Sequence, residues 1–588
     1  MKTAVILQDS CIKHEFIRNK THQIYVVERP ERIRAVKMGI CAAFARLSCT
    51  NLVGKLIETK VKEPAEIKLE EPARTDGNKQ EGTTTLEDII DQLSTLKLEK
   101  KILGPFDIVF SNSFLTPTHP ALVFTHPLPC PSLSSADPWP THLQSLCKNA
   151  TQAILKHPFS EIPEGLPQND LYLSPGSNEA IFGALGAVCE AVDLVSNGSK
   201  YHRAFVAIRP PGHHCTEADP MGFCFVNNVV VGAAHAHQNH GINRIIIIDI
   251  DLHHGNGTQE IVWRINEAAN QSLNEELEQQ PLQIFYCSLH DIHAYPCEDG
   301  DPAMIQAASL NILGGHNQYI SNIHLESWNT EQEFYDHLFP VYCTEIFGAA
   351  TKFIEKTKAE KDKTMIFISA GMDASHHESK DMNRGGINRT LPTSFYHLFA
   401  QKTTEFADKY AQNKIISVLE GGYSNRALTS ASLAFISGLD DARDVSLKEE
   451  WWSEKNLKVL ERLSANKQTN AKDEDWVRQS FDVLKRIEAG EETATIDMAP
   501  AEEKKGRVLR ERKLAVPVVQ EQKSSRNTIS APNSSRPLRS RLSIPTSTPP
   551  ETSTPKPTTA TASTPPPAED YTAAPAKIKF VWKEGGIQ

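Results

Sequence analysis

The stretch Arg244-Ile-Ile-Ile-Ile-Asp249-Ile-Asp251-Leu-His253-His254-Gly-Asn256-Gly257 changes character halfway along. Its first half is an unbroken β-branched run, the pattern of a strand buried on both faces. Its second half is a succession of carboxylates, imidazoles and glycines. Similar apolar runs predict strands at Ala4–Leu7, Asp107–Phe110, Ala204–Ile208, Gln283–Ser288, Thr364–Ser369 and Lys414–Leu419. Apolar residues at helical intervals predict helices at Asn178–Val195, Asn227–Gln238, Glu333–Glu355 and Ser394–Gln412. Strands alternating with helices in this way specify an α/β fold, a single open, mostly parallel sheet covered by helices on both faces. Such sheets bind ligands outside the carboxyl ends of their strands.

Four strand ends carry chemistry. Ala204–Ile208 leads into Arg209-Pro-Pro-Gly-His213-His214, Thr364–Ser369 into Ala370-Gly371-Met372-Asp373, and Lys414–Leu419 into Glu420-Gly421-Gly422-Tyr423. The fourth end is the Asp249 to Gly257 run itself. Alternate residues of an extended strand share a face, so Asp249, Asp251 and His253 can converge. Aspartate and histidine suit zinc, and three protein ligands leave one position open for water or substrate. Asp373 is the natural third ligand beside Asp251 and His253. Taken alone, the same run also reads as a helix cap with satisfied loop polars. His213 and His214 follow a rigid Pro-Pro-Gly turn and are suited to taking and giving protons near neutral pH. Tyr423, behind two glycines, can offer a hydroxyl to a developing oxyanion. His235, His237 and His240 read as surface histidines at a helix end, and His376-His377 as loop residues. Gly255-Asn-Gly257 lacks the third glycine of a dinucleotide fingerprint. No phosphate loop, G-x-S-x-G elbow or H-E-x-x-H pair occurs, which excludes those enzyme classes.

The 588 residues carry a net charge of −11, so bulk charge predicts no direct nucleic-acid partner. No apolar run approaches the roughly 18 residues of a membrane span, and no membrane partner is expected. The opening apolar run, Ala4–Leu7, is too short for a secretory signal. The eleven cysteines, without a C-x-x-C pair, are therefore expected to be reduced intracellular thiols. From Ala531 to Asp570, 25 of 40 residues are Pro, Ser or Thr, too few apolar groups to bury a core. We expect a globular body over 1–460 with a polar insertion at about 63–85. An amphipathic helical extension follows over 461–495, with Trp476, Phe481, Leu484 and Ile487 at helical intervals. Residues 496–588 form a disordered, basic tail rich in Pro, Ser and Thr.

In order along the chain stand Glu28-Arg-Pro-Glu-Arg32-Ile, Arg209-Pro-Pro-Gly-His-His, Gly222-Phe-Cys-Phe-Val-Asn-Asn, Asp249-Ile-Asp-Leu-His-His-Gly-Asn-Gly-Thr, Ser369-Ala-Gly-Met-Asp and Leu419-Glu-Gly-Gly-Tyr. Together they resemble the zinc-dependent histone deacetylase family, which adopts the arginase-like α/β fold. The resemblance covers roughly Ile6 to Ser437 and makes 1–460 the catalytic domain. Asn256, where class I members carry Asp, makes the chain class II-like. Met372 and the proline-rich tail resemble the fungal Hos-type deacetylases.

The resemblance implies hydrolysis of N6-acetyl-lysine on histones and other acetylated proteins, in chromatin and transcription regulation. It implies one zinc ion held by Asp251, His253 and Asp373, with His213 and His214 as the proton-transfer pair and Tyr423 as oxyanion donor. Asp249 would orient His213, and Asn256 would contact His214. Gly222, Phe223 and Tyr295 would wall the substrate tunnel, Ser174 would meet the substrate amide, and Arg32 would lie by the acetate path. Asp249, Asp251, His253, Ser288 and Leu289 match a structural potassium site. An acetylpolyamine amidohydrolase and an acetyl-lysine-binding pseudoenzyme scaffold are the competing functions. The basic runs of the tail suit nuclear import or protein partners, giving an expected location in nucleus, cytoplasm or both.

Overall fold

Arg244–Asp249 is buried at every position and lies between two parallel neighbours, with Ile245, Ile246, Ile247 and Ile248 all at 0% exposure. Successive side chains of a strand point to opposite faces, so both faces of the sheet are covered here. Each isoleucine so buried contributes about 1.5–3 kcal/mol. In this computed structural model the residues described are 2–18, 26–61, 101–198, 200–272, 280–380, 382, 388–440, 449–465, 473–491 and 495–497. The expected insertion and the tail beyond 497 lie outside them.

The strands are β1 (Lys2–Leu7), β2 (Lys101–Leu103), β3 (Asp107–Phe110), β4 (Tyr201–Ala207), β5 (Arg244–Asp249), β6 (Gln283–His290), β7 (Asn311–Leu313), β8 (Tyr319–His324), β9 (Thr364–Ala370), β10 (Ile415–Leu419) and β11 (Thr495–Asp497). Nine of them form one sheet in the order β3-β1-β4-β10-β9-β5-β6-β8-β7. Every pairing in it is parallel except that of β7 with β8. β2 pairs antiparallel with β11 in a separate ribbon. All seven expected strands form, with ends shifted by up to three residues. β7 and β8 were not anticipated, because Asn311–Leu313 is only three residues long and Tyr319–His324 interleaves Ser and Asn with its apolar residues.

The helices are α1 (Glu31–Val61), α2 (Pro120–Thr125), α3 (Trp139–Lys156), α4 (Ser177–Ser196), α5 (Asn228–His240), α6 (Asn256–Gln271), α7 (Pro302–Ala307), α8 (Phe339–Thr357), α9 (Thr393–Tyr410), α10 (Asn425–Leu439), α11 (Glu454–Ser464) and α12 (Asp475–Glu488). α1 packs against α10 and α12, α9 against α10, and α4 against α5. α12 is the amphipathic helix expected from Trp476, Leu484 and Ile487, which are buried, as are Val477 and Val483. α5 is capped at Asn227, whose side chain accepts from the Val230 amide, and stops at Gly241 in the left-handed conformation, φ +62°. Among the described residues no helix is long and apolar enough to cross a membrane.

One ion cluster ties the crevice loops to this scaffold. Glu28, Arg32 and Arg209 are each fully buried. Arg209 donates to both Glu28 oxygens at 2.7 and 2.6 Å, Arg32 donates to Oε1 at 2.8 Å, and the Tyr172 hydroxyl donates to Oε2 at 2.9 Å. Arg32 also donates to the Gly422 and Glu420 carbonyls. Burial alone would raise the Glu28 pKa, but Arg209 and then Arg32 outweigh it and hold the carboxyl well below the usual range. A carboxylate depressed in this way stabilises the fold above its unfolded pKa of about 4.3, and the contribution is lost as pH falls toward the folded value. Glu28→Gln leaves two guanidiniums buried without a counter-charge and is expected to cost about 3–5 kcal/mol. Urea unfolding at pH 7 measures it as a lowered midpoint at unchanged slope. A loss under about 1 kcal/mol would refute this account of the cluster.

Candidate active site

Adjacent strands β10, β9 and β5 end beside one another, and their loops meet the loop after β4. Asp249, Asp251 and Asp373 are 0–1% exposed. The Asp251 carboxylate accepts from the His253 amide at 3.0 Å through Oδ1 and from the Gly421 amide at 2.8 Å through Oδ2. Asp373 Oδ1 accepts from the Leu252 amide at 2.9 Å. His253 Nδ1 faces both carboxylates, 3.0 Å from Asp251 Oδ1 and 3.2 Å from Asp373 Oδ2. Glycine is needed where the backbone crosses these groups, since a Cβ on Gly421 would lie 2.1 Å from Asp373 Oδ2 and 2.6 Å from Asp251 Oδ2.

The two histidines after the Pro-Pro-Gly turn have different partners. His213 Nδ1 is 3.1 Å from Asp249 Oδ2, which also accepts from the Tyr286 hydroxyl at 3.1 Å. Burial lowers the basicity of His213, but Asp251 and Asp249 outweigh it and raise its pKa to about 10. His214 Nδ1 donates to Asn256 Oδ1 at 2.8 Å. Burial, then the neighbouring His213 and His253, hold His214 well below its ordinary pKa. Two adjacent imidazoles, 4.1 Å between centroids, are thus set to opposite protonation states.

A cavity of about 240 Å³ is lined by His214, His253, Gly222, Phe223, Tyr295 and Tyr423, with Asp170, Glu298 and Met382 also in its wall. The Phe223 and Tyr423 rings meet edge to face at 5.6 Å, and Tyr295 stands edge-on to His214 at 4.9 Å. A side chain on Gly222 would strike His214 at 2.5 Å. Tyr423 is buried under the Arg32 guanidinium, 4.9 Å above its ring. Burial, then Asp373, pushes its hydroxyl well above the ordinary phenol pKa.

Ser174 requires correction. Its hydroxyl turns away from the cavity, donating to the Lys13 carbonyl at 3.1 Å beside the Ser177 hydroxyl at 3.2 Å. The residue of that loop that lines the cavity is Asp170. His376 and His377 stay outside the cavity, as expected of loop residues, whereas the next residue has a part that no motif announces. Glu378 accepts from the amides of Tyr423 at 2.7 Å and Ser424 at 2.8 Å, fixing the tyrosine loop. Glu420, a member of the Leu-Glu-Gly-Gly-Tyr run, has a role that its spacing does not reveal. It is fully buried, accepts from the Gly212 amide at 2.7 Å and so joins the tyrosine loop to the histidine loop.

Residues 139–439, just over half of the chain, match the sequence model of the histone deacetylase domain. The chain is 32% identical over 487 residues to Histone deacetylase HOS3 of Saccharomyces cerevisiae, covering 78% of this chain and 59% of that protein. It is 34% identical over 291 residues to Type-2 histone deacetylase 2 of Dictyostelium discoideum, 48% of this chain and 15% of that protein. A bacterial relative, the Histone deacetylase-like amidohydrolase of Pseudomonas aeruginosa, is 27% identical over 285 residues, 48% of this chain and 64% of its own length. The chain thus spans less than two thirds of each of these relatives.

The residues fit a divalent cation. Asp251, His253 and Asp373 are all buried and offer ligand atoms within 4.8 Å of one another. Asp373 Oδ2 is buried without a hydrogen bond, an arrangement costly for a carboxylate oxygen unless something else satisfies it. Two carboxylates and a neutral imidazole balance a dipositive charge and leave one tetrahedral position open. Asp251→Ala is expected to release about one equivalent of tightly held metal per chain. Elemental analysis read beside circular dichroism checks this, and undiminished metal in a folded variant would exclude these ligands.

Proposed function

The chain belongs to the histone deacetylase family, and from that premise we propose that it hydrolyses N6-acetyl-lysine in histones or other acetylated proteins to lysine and acetate. The observation that carries the reading is one cavity lined by His214, by Tyr423 and by His253 of the Asp251–His253–Asp373 cluster. Zinc held by Asp251, His253 and Asp373 would supply Lewis-acid polarisation of the acetamide carbonyl and make an attacking water more acidic.

The chain's own groups do the rest. Phe223 and Tyr295 flank the acyl-lysine stem and exclude water from it. His214, with its Nδ1 proton committed to Asn256, takes the water's proton at Nε2 as oxygen attacks the carbonyl carbon. Tyr423 keeps its proton at neutral pH and donates a hydrogen bond to the oxyanion. As the C–N bond breaks, His214 returns the proton to the lysine nitrogen, and acetate leaves past Arg32. Asp251 and Asp249 keep His213 charged, and burial together with that charge keeps His214 neutral. A potassium ion beneath the site, among the backbone oxygens of Asp249, Asp251, His253, Ser288 and Leu289, belongs to the same reading. So do catalysis confined to about residues 1–460, a docking or targeting role for the tail, and residence in nucleus or cytoplasm.

A polyamine substrate is the second reading, favoured by the carboxylates of Asp170 and Glu298 in the cavity wall, which would attract a second ammonium group. Turnover of an acetyl-lysine peptide against acetylspermidine separates the two. A kcat/KM higher for acetylspermidine would overturn the protein-substrate reading.

Tyr423→Phe removes only a hydroxyl and is expected to lower kcat about 10²–10³-fold with metal content unchanged. A loss under about threefold would assign the oxyanion to another donor. Asn256→Asp places a negative charge on His214 Nδ1–H and stabilises its imidazolium. The basic form of His214 is then reached only at higher pH. The acidic limb of the kcat/KM profile is expected to move up by on the order of one unit; a limb that stays put or moves down would remove His214 as the base.

A further inference from the structure

His235 and His240 were expected to be surface histidines, but the side chains of both are largely covered, at 7% and 13% exposure. Both turn their Nε2 atoms onto a single oxygen of Asp193 in α4. His235 Nε2 is 2.8 Å and His240 Nε2 is 2.7 Å from Asp193 Oδ1. The ligand atoms of all three residues lie within 4.8 Å of one another. We propose that Asp193, His235 and His240 form a second divalent-metal site, of the zinc class, separate from the catalytic crevice.

The donor set is that of zinc chemistry, two imidazole nitrogens and a carboxylate oxygen. Asp193 is 44% exposed on its side chain, so the cluster opens to solvent on one side. That opening gives an ion a way in and leaves a coordination position for water. Burial of Asp193, which would raise its pKa, is outweighed by the hydrogen bonds from His235 and His240, and its carboxyl is held ionised. A further imidazole stands close by, the His119 ring, 5.8 Å from that of His235.

The orientation of His235 is already fixed from behind. Asn239, one turn on along α5, places its side-chain amide 3.0 Å from His235 Nδ1. Without metal, the amide donates to Nδ1, and the Nε2 proton goes to Asp193. With metal on Nε2 the proton moves to Nδ1, and Asn239 turns its carbonyl to accept it, the supporting contact that metal-bound histidines generally have. The ring keeps its single proton in this exchange of tautomer, and because protons compete with metal for the imidazole nitrogens, affinity should fall as pH is lowered. His237 is not one of the grouped ligands, and its Nδ1 is engaged with the Ile242 carbonyl.

The position separates this site from the chemistry. α5 begins next to the histidine loop, where Asn228 donates to the Pro210 carbonyl at 3.2 Å. His240 is the last residue of the helix, roughly 18 Å along its axis from Asn228 at 1.5 Å per residue. An ion there would tie the end of α5 to α4, a structural clamp rather than a reaction centre.

The full chain, with its tightest metal site filled, is titrated with zinc against a chromophoric chelator at pH 7.5. A second equivalent is expected. In Asp193→Asn its affinity should fall at least tenfold, while turnover of the acetyl-lysine peptide stays within about twofold of the parent. His240→Gln, at the half-buried helix end, gives the same readout if Asp193→Asn fails to fold by circular dichroism. Absence of a second equivalent in the parent chain, or a change of less than tenfold in the folded variant, overturns the site. Because the readout is bound metal, its failure leaves the reading of the catalytic crevice untouched.

Discussion

Four buried carboxylates, Asp249, Asp251, Asp373 and Glu420, meet within one crevice at the ends of β5, β9 and β10, none more than 1% exposed. Like charges at this density cannot all stay ionised in a dry pocket without compensation. The surrounding structure supplies it in three ways. Backbone amides of Gly421, Leu252 and Gly212 donate to three of the four. His213 and His253 are both pushed up to about 10 against their burial, His213 chiefly by Asp251 and His253 chiefly by Asp373. Glu420 escapes in part by protonation, its pKa raised by burial to about 7. A metal ion held by Asp251, His253 and Asp373 would take the place of the His253 proton in that balance.

That compensation demands close approach, and close approach dictates the local sequence. Gly371 and Gly421 sit where any Cβ would fall within 2.1 Å of a carboxylate oxygen. The parallel sheet delivers all four loops side by side because β4, β10, β9 and β5 are consecutive in its order. The Glu28 cluster then locks two of them together, since Arg209 begins the histidine loop and Arg32 holds the Gly422 carbonyl before Tyr423. The electrostatics of the pocket and the stability of the scaffold therefore run through the same side chains.

Much of this was legible in the sequence, and for a physical reason. Strands buried on both faces must be continuously apolar, and polar groups that follow them at once have only the sheet edge to occupy. That logic reached seven of the nine strands of the sheet and brought Asp249, Asp251, His253, Asp373, His213, His214 and Tyr423 together. It failed where position depends on tertiary contact alone. Ser174 shares its loop with Asp170, and nothing in the spacing says which of them turns inward. Glu378 acts through amides 45 and 46 residues away. Over residues 31–48, α1 is buried on almost every side and the helix packs against α10 and α12, so its apolar residues do not confine themselves to one stripe and the periodicity that marks an amphipathic helix is weak. His235 departs from the expected surface position because α4 covers it, whereas a helix-end histidine is ordinarily solvated.

The cavity wall shows the same dependence of chemistry on backbone. Phe223 adopts φ +67° and follows Gly222 at φ +54°, two left-handed residues in succession. For a phenylalanine this costs on the order of 1–2 kcal/mol. Reciprocal hydrogen bonds, Met221 amide to Cys224 carbonyl at 3.1 Å and Cys224 amide to Met221 carbonyl at 2.9 Å, hold the turn closed against that strain. A right-handed Phe223 would break this pair and carry the ring away from Tyr423. Glycine at 222 is required beneath His214 on steric grounds, so the strain cannot be moved one residue back. The strained turn is thus the means by which an aromatic wall stands opposite the tyrosine without crowding the imidazole between them.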